Sequence, residues 1–97
     1  MNDFFKTVNE HMATLELYTP IVARVHGALH PEFHDVKRWF DEFSPILKSM
    51  GNEKPDLDQA FASLREITEH YRVPDDVCES YEAVYVMLQS IDKAYSE

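Results

Sequence analysis

A chain of 97 residues that is 44% hydrophobic and 12% aromatic can bury the core of one compact domain, with no length left for a second. Nine Lys and Arg against eighteen Asp and Glu leave a formal charge of −9. That charge repels nucleic-acid phosphates and anionic lipid, so neither is expected as a partner. No apolar run approaches the ~20 residues of a membrane helix, and the opening MNDFFKTVNE lacks the basic-then-apolar order of a secretion signal. A single cysteine, Cys78, makes no internal disulfide and suits a reducing compartment, so the expected location is cytoplasmic.

Apolar residues recur at steps of three and four, which is the signature of amphipathic helices. From a cap at Asn2 or Asp3, a first stripe runs through Phe5, Val8, Met12, Leu15, Val22, Val25 and Leu29, with Gly27 as its stop and a kink expected at Pro20. A second stripe joins Phe33, Val36, Phe40, Phe43, Leu47 and Met50, opened by Pro31 and closed by Gly51, with Ser44-Pro45 as its weak point. Leu57, Phe61, Leu64, Thr68 and Tyr71 make the third and shortest helix, expected at ~15 residues, or ~22 Å at 1.5 Å per residue. Val77, Tyr81, Val84, Leu88, Ile91 and Tyr95 make the fourth, with Asp75 and Asp76 placed where a helix start favours negative charge.

Four helices with short connections predict an all-α, up-down-up-down four-helix bundle. Trp39 and Tyr18 lie off the stripes, where each covers the edge of its own core or extends a face for a second copy of the chain. The topology sends the end of the first helix, the start of the second, the end of the third and the start of the fourth to one end of the bundle. His26, His30, His34 and His70, with Asp75, Asp76 and Cys78, are therefore expected there, and they are the candidate ligands for a transition metal. The competing expectation is structural: His26 in a terminal helical turn, His30 flanking Pro31, and Cys78 as a small buried residue. No triad order, phosphate-cradling loop or paired acid and base marks an enzyme.

Two segments carry a resemblance. Val22–Phe33, VARVHGALHPEF, and Leu64–Leu88, LREITEHYRVPDDVCESYEAVYVML, resemble the hemerythrin-like domain of the Ric family, di-iron proteins of iron–sulfur cluster repair. The matching residues are Val25, His26, Gly27, His30, Pro31 and Glu32 of a VHG-x-x-HPE turn, then Thr68, Tyr71, Pro74 and Cys78 of a T-x-x-Y-x-x-P-x-x-x-C stretch. The resemblance implies a hemerythrin-like bundle. It places the family's iron ligands near the start of helix 1, late in helix 2, at the opening of helix 3 and at the end of helix 4.

At those places this sequence reads Phe4-Phe5, SPILKSMGNEKPD, Asp56-Leu57-Asp58-Gln59, and a finish at Tyr95-Ser96-Glu97. The expectation is a ligand-depleted relative with no cofactor and no enzymatic activity, acting through a protein partner or by self-association. The alternative is a weak site for iron or another transition metal on the histidines of one bundle end.

Overall fold

A computed structural model describes residues 4–51 and 53–96; the expected cap at Asn2 or Asp3 lies outside them. Four helices follow in order: α1 (Phe4–His26), α2 (Glu32–Ser49), α3 (Asp58–Thr68) and α4 (Glu79–Ser96). Described residues form no strand. Antiparallel pairing is fixed by contacts at both ends. Phe4 meets Tyr95, and His26 meets Tyr81, so α1 and α4 run in opposite directions. Lys48 reaches Glu16 and Phe43 packs on Phe61, which sets α2 against α1 and α3 against α2. Arg65 closes the ring of four by binding Asp92 on α4. The chain is the expected all-α, up-down-up-down four-helix bundle.

The core-facing stripes explain why each helix forms. In α2 the positions Phe33, Val36, Phe40, Phe43 and Leu47 are buried, as are Leu57, Phe61, Leu64, Thr68 and Tyr71 in and around α3. Burial of an apolar face on both sides of Pro20 and Pro45 carries α1 and α2 through these prolines without a break, so Ser44-Pro45 does not divide α2. Both proline rings face solvent.

The stripe of α1 differs from the sequence expectation. Its buried line is Phe4, Val8, Met12, Leu15, Thr19 and Val22, while Phe5 is only partly buried and Val25 and Leu29 are 61% and 80% exposed. Thr19 occupies a core position, its hydroxyl donating to the Leu15 carbonyl at 2.5 Å. A reading that follows apolar residues alone skips Thr19, and beyond the buried Val22 it continues to Val25 and Leu29, which face solvent.

Three boundaries also move. Helix α3 has 11 residues and stops after Thr68, where Glu69, His70 and Tyr71 take three successive left-handed conformations with φ of 53°, 62° and 64°. The Thr68 hydroxyl accepts the Tyr71 N–H at 2.8 Å and holds this stop. Helix α4 begins at Glu79 instead of beside Asp75, so Glu79 and Glu82 supply the acidic first turn. Gly51 ends α2 as expected, with φ of 61°. Gly27 follows α1 for another reason: a Cβ there would collide with the His34 ring and the Ala23 carbonyl.

Candidate functional site

The end of the bundle that carries the histidines is built by the α1–α2 turn and the loop entering α4. His26, the last residue of α1, sets Nε2 3.1 Å from the Cys78 sulfur. His30 sits between two carboxylates, with Nδ1 2.9 Å from Glu32 and Nε2 2.9 Å from Asp76. Only an imidazolium donates from both nitrogens at once. The bond to Glu32 raises the His30 pKa most, the bond and charge of Asp76 add to it, and partial burial opposes them. Both His26 and His30 meet Tyr81 in T-shaped contacts, each with centroids 5.6 Å apart. The arrangement ties the α1–α2 turn to the start of α4. Both ring nitrogens of His30 are engaged by carboxylates, which leaves neither directed at a metal.

The other expected members stand differently. His34 is exposed, its ring lying over Gly27. Cys78 is exposed, which corrects its expected burial as a small apolar residue: the chain reaches α4 through an extended loop, and Cys78 precedes the first helical turn. Asp76 does not cap α4 but pairs with His30. His70 does not join this end. Because α3 is short, His70 lines a cleft with Arg65, Tyr71, Gln89, Ser90, Asp92 and Lys93. Gln89 lies eight residues, or about 12 Å, along α4 from Tyr81. Among the described residues no group of three or more His, Cys, Asp or Glu side chains converges on a point that could hold a metal ion.

Two polar clusters in the interior were not anticipated. Asp92 is 5% exposed and accepts Arg65 Nε at 2.9 Å, Arg65 Nη2 at 3.2 Å and the Tyr71 hydroxyl at 2.7 Å. Tyr81 and Tyr85 are buried with their hydroxyls 2.9 Å apart. Burial, then the bond to Asp92, pushes the Tyr71 phenol far up, and burial with the bond to Tyr81 does the same to Tyr85. Asp92 follows Tyr81, Tyr85 and Leu88 at steps of four, three and four, so its place on the core stripe is the signal that identifies it.

At the opposite end the core is aromatic. Phe4 and Tyr95 pack edge to face at 5.6 Å, while Phe61 meets Tyr95 at 5.0 Å and Phe43 meets Phe61 at 5.7 Å with tilted rings. The Tyr95 hydroxyl accepts the Leu57 N–H at 2.7 Å and donates to Asp58 at 2.9 Å. Lys54 crosses this end, bonding the Tyr95 carbonyl with its ammonium 4.5 Å from the Tyr95 ring centroid. These rings and Leu57 occupy the bundle end where the resemblance implies ligands on helices 1 and 3.

The fold defines a four-helix bundle without a family model that matches it, and no solved structure matches the chain. Similarity to named proteins is distant. The iron-sulfur cluster repair protein ScdA of Staphylococcus haemolyticus (strain JCSC1435) is 22% identical over 125 aligned positions, covering 97% of this chain and 56% of the relative. ScdA of Staphylococcus epidermidis (strain ATCC 12228 / FDA PCI 1200) is 24% identical over 121 positions, covering 93% and 54%. The chain therefore spans about half the length of the curated relatives it matches. Both alignments are longer than the 97 residues of this chain, so the relatives carry additional residues between the matched parts. This likeness supports the resemblance to the iron–sulfur cluster repair family read from the two turn motifs.

Proposed function

We propose that this chain is a cytoplasmic, non-catalytic relative of the iron–sulfur cluster repair proteins that has kept the hemerythrin-like scaffold, lost the di-iron ligands, and acts by self-association or by binding another protein. The observation that carries the reading is a ridge along the solvent face of α1. Leu17, Ile21 and Val25 recur every four residues on α1 and are 59%, 39% and 61% exposed, and Leu29, in the turn that follows, is 80% exposed. Val86, 51% exposed, lies on the neighbouring α4. A row of exposed apolar side chains on a charged surface is typical of an interface.

Loss of the iron centre is supported by donor chemistry. A di-iron site needs imidazoles and carboxylates converging inside the bundle. The ligand places implied for helices 1 and 3 fall on Phe4-Phe5, of which Phe4 is fully buried among rings, and on Asp56-Leu57-Asp58-Gln59. The alternative, weak metal binding by His26, His30, His34 and His70, receives less support. His30 is committed to two carboxylates, and His70, in the turn after α3, lines a cleft with Gln89 and Lys93 of α4.

Sedimentation velocity on the wild type and on a Leu17→Glu/Val25→Glu double variant tests the reading. Concentration-dependent association of the wild type, and a monomeric variant with unchanged helical circular dichroism, are expected. A wild type that stays monomeric contradicts self-association. Stoichiometric iron in the same sample contradicts the whole reading.

A further inference from the structure

A groove of about 370 Å³ runs between α2 and the start of α3, with Trp39, Phe43, Ile46, Leu57 and Ala60 among its lining residues. Every ionisable side chain in that lining is a carboxylate: Glu42, Asp56 and Asp58. Ile46 is 45% exposed, and Trp39 is only partly buried against the core. Trp39 thus covers the edge of its own core and also presents apolar surface to the groove.

We infer that this groove is a docking site for a cationic amphipathic segment of a partner protein, which lays apolar side chains over Trp39 and Ile46 and sets Lys or Arg against Glu42 and Asp56. The charge pattern selects this occupant. A second copy of this chain, at −9, adds like charge to an acidic rim, and a nucleic acid or anionic lipid is repelled by it. A basic helix matches on both counts, because its apolar face fills the floor and its cations meet the rim. Asp58 is the least available of the three acids, since it already accepts the Tyr95 hydroxyl. Glu42 is an exposed residue of α2, and Asp56 lies exposed in the loop before α3, its Oδ1 accepting the Asp58 N–H at 3.2 Å. The inference rests on the reading that this chain works by binding protein, but it uses different helices from the α1 ridge.

Trp39 is the only tryptophan, so its fluorescence reports on the groove directly. The probes are a short synthetic helix with leucine and phenylalanine on one face and lysine on both flanks, and a counterpart with glutamate in place of lysine. The lysine peptide is expected to shift Trp39 emission saturably, and the glutamate peptide to leave it unchanged. Glu42→Gln/Asp56→Asn is expected to weaken the lysine peptide by about tenfold or more, with helical circular dichroism unchanged. Glu42→Lys/Asp56→Lys is expected to transfer binding to the glutamate peptide.

Equal binding of both peptides, no response to either, or self-association abolished by Ile46→Glu would each overturn the inference. The Leu17→Glu/Val25→Glu variant should still bind the lysine peptide. That result separates failure of the groove from failure of the α1 ridge.

Discussion

Phe4 and Tyr95, from the two ends of the described chain, meet edge to face with ring centroids 5.6 Å apart. Phe61 packs on Tyr95 from α3 at 5.0 Å and Phe43 joins from α2 at 5.7 Å, both with tilted rings, so one aromatic cluster closes this end of the bundle with a ring from every helix. Phe61 is fully buried at the centre of it. Phe61→Ala removes two ring contacts and leaves a cavity, and is expected to cost about 3–5 kcal/mol. Urea unfolding followed by circular dichroism measures it; a loss below about 1 kcal/mol would mean that the cluster does not organise this end.

Gly27 is set by close approach and not by its backbone angle. A Cβ there meets the His34 ring, which can swing away, and the Ala23 carbonyl, which cannot move without shifting the end of α1. Gly27→Ala is expected to cost about 1–3 kcal/mol despite alanine's better helix propensity. Adding His34→Ala should recover only the side-chain part. Thermal melts of the single and double variants separate the two contributions.

His30 gives the stability a pH dependence of definite sign. Its folded pKa lies above the ordinary value of about 6.5, raised first by Glu32 and then by Asp76 against the opposing effect of burial. The stabilisation is therefore complete below about pH 6.5 and is lost as pH rises through the higher folded value. Urea midpoints measured from about pH 6 to about pH 9 should fall for the wild type, and should fall less for His30→Gln. Parallel curves would show that His30 is not held by its carboxylates.

Glu69 caps α3 in the left-handed region at φ 53°, a conformation that glycine adopts without the Cβ penalty. Glu69→Gly is expected to raise stability by about 0.5–1 kcal/mol, against the usual direction for a glycine substitution. A lowered melting temperature would mean that the Glu69 side chain contributes more than its backbone strain costs.

The helices were legible in the sequence because their buried faces are mostly apolar; every position expected in the α3 stripe is in the core. Where polar residues take core positions the pattern misleads. Thr19 is a core position of α1 that an apolar pattern passes over, and Asp92 hid the network it forms with Arg65 and Tyr71. The gathering of His26, His30 and Cys78 followed from topology alone, since antiparallel helices must bring those ends together. The position of His70 did not, because it depends on α3 stopping after Thr68. Three left-handed residues without a glycine leave no signal in composition. The acidic groove escaped notice for a related reason: Glu42, Asp56 and Asp58 come together only when α2 and α3 pack.

The central claim is that an aromatic core stands where a di-iron centre would need its ligands. Incubating the purified, untagged chain with ferrous iron under anaerobic conditions, removing excess iron and measuring the metal retained tests this most directly. The account predicts far less than one iron per chain and a melting temperature unchanged by the treatment. About two tightly held irons per chain, with the melting temperature raised, would contradict it.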